Sequence, residues 1–300
     1  MPAGRIAVVL VALMLSSCSR GSGVATSRPA GAMPVLASEV HSSGSGLRYG
    51  FRVPRGAVGA GPILPCDIGV RSLACTAYLA IDGRPDVVLN DLLGQGYRMG
   101  YLGGVRCDRW ADVMRCDGEL NQAARGRSVI IQSRYGAGRE RRHPVAFMSI
   151  GFGTQPAANL CSDSPPCSRS AAAFQVTTPR FAVPKVGDLV EPALESNVRI
   201  LAGSQVVMRV EGNSGNPAGE FLTLMKIPEH IDTTVAAYHA AIARGPYVTS
   251  LHDNGERAVS NGWRVHSWSL YGNDGGPDGT LASLRHGDTA YVAVEVVPYA

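Results

Sequence analysis

Lysine is nearly absent. Lys185 and Lys226 are the only two among 28 lysines and arginines in the 300-residue chain. So strong an arginine bias follows from GC-rich coding, and with a net charge of only +4 it gives no footprint for nucleic acid. Long apolar runs are missing too. The longest, Ile6 to Leu15, has about ten residues where a membrane-spanning helix needs roughly twenty. The sequence also lacks the common catalytic signatures. Gly212-Asn213-Ser214-Gly215 fails as a nucleophile elbow because its second glycine comes one residue early. There is no H-E-x-x-H zinc helix, no phosphate-binding Walker loop and no C-x-x-C. These absences speak against an enzyme. The remaining enzymatic alternative is a hydrolase assembled from dispersed Ser, His and Asp.

What is present begins with an export segment. Arg5 supplies a positive start, the apolar run follows, and it ends in Leu15-Ser16-Ser17-Cys18. This layout belongs to targeting rather than to a fold. The tetrapeptide resembles the bacterial lipobox, in which small residues precede a cysteine that receives a thioether-linked diacylglycerol before cleavage. The resemblance covers these four residues and implies a lipid on Cys18. Residue 19 is Ser, not the Asp that favours inner-membrane retention in such lipoproteins. It therefore implies an outer-membrane anchor facing the periplasm. Residues 19–47 are rich in Gly, Ser, Ala and Pro and hold too little apolar surface to order themselves, so they read as a flexible leash.

Seven cysteines are an odd number for an oxidising compartment. With Cys18 set aside, Cys66, Cys75, Cys107, Cys116, Cys161 and Cys167 remain as three sequence-local pairs. Six cysteines permit fifteen pairings, and short-range pairing is the simplest of them. No histidine sits at ligand spacing beside these cysteines, so disulfides are expected and metal is not. Disulfides place the folded part outside the cytoplasm. No cofactor is expected.

Abundant glycine (36 residues) and short strand-like runs point to an α+β, β-rich protein. We read two small domains of antiparallel sheet with one helix each, 48–155 and 196–300, joined by a proline-rich connection at 156–195. A divergent internal repeat is possible, on a plan of strand, helix, then three strands. Leu92–Tyr97 and Ala241–Pro246 each read as a helix end at a glycine. Leu120–Ile131 then parallels Leu281–Val292. In the second half, Glu220–Ile227 reads as a strand and a helix opens near Pro228. Its apolar stripe is Val235, Tyr238, His239 and Ile242. Further strands are expected at 246–252, 262–271 and 289–298. In the last, Val292, Val294 and Val296 alternate with Tyr291, Ala293 and Glu295, which fits a sheet with one face buried.

Binding candidates come from aromatics and charge. Along 262–272, Trp263, Val265 and Tyr271 share one face, opposite Arg264, His266, Trp268 and Leu270. Either one set is exposed near Tyr291 as a binding surface, or the helix and the partner domain cover both. Arg139, Arg141 and Arg142 form the densest basic spot. Residues 48–155 carry fifteen Arg and Lys against nine Asp and Glu, and residues 196–300 carry seven against ten, so the domains differ in sign. Asn273–Gly279 is Gly- and Asp-rich like a calcium loop but lacks its spacing, and reads as a turn. The expected function is a non-catalytic, protein-binding lipoprotein of the envelope: an inhibitor, an immunity protein or an accessory to an envelope machine. The alternative is a binder of cell-wall or surface glycan. A flat apolar patch favours protein, aromatics beside polar groups in a groove favour glycan, and a histidine beside Ser in a cleft favours a hydrolase.

Overall fold

The computed structural model describes residues 40–81, 84–110, 113–136, 145–154, 161, 167–174, 184–190, 198–211, 221–245, 248–272 and 278–297. Cys18, Arg139, Arg141 and Arg142 lie outside these residues, as does most of the expected calcium-like turn. The described residues form an α+β, β-rich protein of two antiparallel sheets with one helix each.

The first half contains β1 (Val40–His41), β2 (Ala57–Ala60), β3 (Thr76–Ile81), α1 (Pro85–Arg98), β4 (Leu102–Trp110), β5 (Val113–Gln122), β6 (Arg127–Gly136) and β7 (Val145–Gly153). Its sheet runs β1-β2-β3-β7-β6-β5-β4. The second half contains β8 (Gln205–Glu211), β9 (Phe221–Lys226), α2 (Ile231–Ala243), β10 (Val248–Ala258), β11 (Arg264–Gly272), β12 (Asp278–His286) and β13 (Thr289–Val297). From its other edge, that sheet runs β8-β9-β13-β12-β11-β10. Strand for strand this is the order β2-β3-β7-β6-β5-β4. Apart from β1, both halves are therefore built as two strands, a helix and four strands, and the repeat is present in the topology. The plan read from sequence is one strand short on each side of the helix. Its pairing of Leu120–Ile131 with Leu281–Val292 is also one strand out of step, because β12 corresponds to β6. Every hairpin of such a sheet has the same alternation, so periodicity cannot number the strands.

Local sequence explains the helices. In α1, Pro85 stands at the first turn with Asp86 beside it, which suits a helix start. Val88, Leu89, Leu92 and Leu93 are buried. The helix does not stop at Gly94 or Gly96, as the sequence reading has it, but continues to Arg98. Gly96 serves a close approach instead: a Cβ there would lie 2.5 Å from Leu120 Cδ1. The left-handed glycine past the end is Gly100, at φ +81°. In α2 the expected stripe is buried at Val235, Tyr238 and Ile242.

The expectation of one buried face is corrected. On β13, Val292, Val294 and Val296 pack with Tyr238 and Ile242 of α2. Tyr291 and Ala293, facing the other way, pack with Ala60, Leu64, Tyr78 and Ala80 of the first half. The second sheet is thus covered on both faces because the first domain supplies the second cover. Burial of each such Leu, Val or Tyr contributes about 1.5–3 kcal/mol, so the two halves share a core. Glu295 lies in this joint at 3% exposure. It is satisfied by the Ser72 backbone N–H at 3.0 Å and the Ser72 hydroxyl, while the Tyr78 hydroxyl donates to the Ser72 carbonyl at 2.6 Å.

The six cysteines pair with their sequence neighbours, Cys66–Cys75, Cys107–Cys116 and Cys161–Cys167. Cys107 and Cys116 stand opposite each other across β4 and β5. The structure also places Val40–His41, within the stretch read as leash, in the first sheet, and bonds the residues after them to 51–53. Val40 pairs with Ala60, and Gly44 donates to the Val53 carbonyl at 2.8 Å.

Candidate functional site

The aromatic candidates do not form one surface. Trp263 is layered between the His286 ring at 5.2 Å and the Tyr291 ring at 6.1 Å. Tyr291 is buried in the joint between the halves, and Tyr271 is half exposed. Trp268 points to the other side of its sheet, toward α2, and is 9% exposed. Val265, Trp268 and Leu270 are covered, Trp263 and His266 are partly buried, and Arg264 and Tyr271 are exposed.

Around Trp268 the fold gathers residues that lie far apart in sequence. His266 stacks on its ring at 4.0 Å and His239 of α2 meets it edge-on at 5.7 Å. His266 Nε2 lies 2.7 Å from the Asp253 carboxylate on β10. The Gly255 backbone N–H and then His266, each bonded to Asp253, hold its pKa below the ordinary value. Arg285 of β12 pairs with Asp232 in the first turn of α2. Asp232, Val235, Ala236, His239, His266, Trp268, Ser283 and Arg285 line a cleft of about 360 Å³ between α2 and the sheet. Ser283 faces His266 across β11 and β12. It is 3% exposed. Sequence reading singled out Trp268 and placed His239 on the helix stripe. It missed Asp253, Ser283 and the Arg285–Asp232 pair, for which only strand register gives a signal.

The first repeat shows what becomes of the corresponding groove there. Counted from their first residues, α1 and α2 match in burial: Leu89 with Val235, Leu92 with Tyr238, Gly96 with Ile242. Beside α1, residues 167–174 fill the space between helix and edge strand. Ser168 forms an antiparallel bridge with Val105 of β4 through two backbone hydrogen bonds of 2.8 and 2.9 Å. The Asn90 side chain grips both backbone groups of Ala171, at 3.0 and 2.8 Å. The Tyr97 hydroxyl donates to the Arg169 carbonyl at 3.0 Å, and Ala171 and Phe174 are buried in the α1 core. In the second repeat Ala236 replaces Asn90, and among the described residues none fills the cleft and β10 has no neighbour on its outer side.

No family model and no curated protein matches the chain. Among solved structures it is similar to the bifunctional dehydratase-cyclase domain of ambruticin biosynthesis. That likeness has 13% identity over 70% of this chain and 80% of the other, with a TM-score of 0.18, which carries neither fold nor activity across.

Chemically, the cleft offers two imidazoles, a cation, hydroxyl and carboxylate groups and an apolar wall. Those groups suit recognition of a partly polar guest. For nucleophilic catalysis a serine must lie within hydrogen-bond reach of its base. Here Asp253 bonds His266 Nε2 as an orienting carboxylate bonds a base, and Ser283 stands opposite His266 across β11 and β12, so the cleft holds the histidine-beside-serine pairing that the hydrolase alternative names.

Proposed function

We propose that this is a lipid-anchored lipoprotein of the outer membrane that binds a protein partner in the periplasm without catalysing a reaction. The observation that supports it is the difference between the repeats: one helix–edge groove is filled by the chain's own segment, and the other is filled by none of the described residues. The guest in the first groove is polypeptide, which favours a polypeptide guest in the second. The anchor reading gains support from the cysteine arithmetic, since three disulfides account for six of seven and leave Cys18. An inhibitor, an immunity protein or an accessory to an envelope machine would each use such a module.

The glycan alternative is less well supported. Sugars stack on an open aromatic face, and here His266 covers a face of Trp268 while His286 and Tyr291 cover Trp263.

The test is retention from envelope extract by full-length protein held in mild detergent. One protein should be retained in stoichiometric amount. Ala236→Trp, which fills the cleft, should weaken retention about tenfold, the effect of ~1.4 kcal/mol. Retention on purified sacculi or polysaccharide alone would contradict the reading. Mass spectrometry of the native N-terminus checks the anchor: an unmodified Cys18, or cleavage elsewhere, removes it.

A further inference from the structure

We propose that an extended segment of the protein partner adds to the outer edge of β10 and places a polar-tipped aromatic side chain in the α2 cleft. This rests on the protein-binding reading and specifies its geometry. The chain itself carries the precedent. Residues 168–174 pair with edge strand β4 at Val105 and bury Ala171 and Phe174 beside α1. Val105 is the fourth residue of β4, and its counterpart is Leu251, the fourth of β10.

Backbone pairing at an exposed edge gives such a segment its affinity, and pockets for its side chains give it specificity. Ser250, His252 and Asp253 are exposed along β10. A register shift between Asp253 and Glu256 bends the strand beyond that point and limits where another strand can pair. The free stretch is therefore Ser250–Asp253, next to the cleft, since Asp253 bonds the cleft residue His266.

The cleft specifies the guest. The change from Asn90 to Ala236 removes the amide that grips the chain's own small residue, and leaves room for a larger side chain. Val235, Ala236 and Trp268 offer apolar contact to a ring. Ser283, 3% exposed, and the His239, His266 and Arg285 side chains also line the cleft, and a hydroxyl or amide at the tip of the guest would bond to such groups.

Site-specific photo-cross-linking in living cells tests this with the full-length protein. A benzophenone amino acid replaces Ala236 in the cleft, His252 on the β10 edge, or Val87, which is half exposed on α1. The proposal expects Ala236 and His252 to capture the same protein, with the captured peptide containing an aromatic residue and Val87 capturing much less. Capture from Val87 but from neither other position overturns the geometry and leaves the protein-binding reading standing. A cross-link from Ala236 to residues 19–39 of this chain, or to a second copy, overturns the proposed occupant. Capture of no protein from any position overturns both.

Discussion

The Tyr238 hydroxyl is buried at the centre of the second domain with its hydrogen bonds complete. It donates to Ser204 Oγ at 3.0 Å, accepts from the Leu201 N–H at 3.0 Å and lies 3.2 Å from Met225 Sδ. Burial pushes its pKa up, so it stays protonated. Tyr238→Phe leaves the Leu201 N–H unpaired, and denaturant unfolding should show a loss of about 1–3 kcal/mol. Asp67 acts at the joint of the halves. It accepts from the Ser260 backbone N–H and hydroxyl, both at 2.9 Å, and these bonds hold its pKa below the ordinary 3.8. A carboxylate with a depressed folded pKa stabilises above its unfolded pKa and loses that contribution as pH falls through the folded one. Stability should therefore decline on acidification below pH 3.8. Asp67→Asn should flatten the decline, as measured by thermal melts across that range. At this scale the disulfide pairs were legible, because each closes a short loop. The Trp268 cluster was not, because its partners come from α2, β10 and β12. Which rings meet depends on register and on the shift in β10.

The three disulfides fasten elements that hydrophobic burial alone would hold loosely. Cys66–Cys75 closes the segment between β2 and β3, whose Leu64, Ile68, Val70 and Leu73 cover the second sheet. Closing a loop of this size lowers unfolded-chain entropy by an amount worth about 2–3 kcal/mol at room temperature. The Cys66→Ala/Cys75→Ala pair should lose that much in denaturant unfolding, with the other two bonds intact. The helices and several strands were readable from periodicity and turn residues. Gly96 misled because a glycine in a helical pattern signals either an end or a close approach, and only the position of Leu120 decides. The second buried face of β13 was hidden for a similar reason. Tyr291 and Ala293 suit a half-wet surface as well as a joint, and Glu295 is an unlikely core residue until Ser72 is seen to satisfy it.

At the scale of the molecule, one architectural plan occurs twice and the copies have diverged in use. The first has its groove filled by residues 167–174, downstream of the Cys161–Cys167 loop. The second shares a core with the first, yet among the described residues none occupies its groove or the β10 edge. Sequence gave half of this: two β-rich domains and a hint of repetition, but not the comparison of grooves, since nothing along the chain marks Asn90 and Ala236 as counterparts. Amide hydrogen exchange on the isolated full-length protein in mild detergent tests the contrast directly. The Val105 and Ser168 amides should exchange slowly, while outward-facing amides of the Ser250–Asp253 stretch exchange at nearly unprotected rates. Slow exchange throughout Ser250–Asp253 in the isolated protein would mean that this edge is already occupied, and would contradict the account.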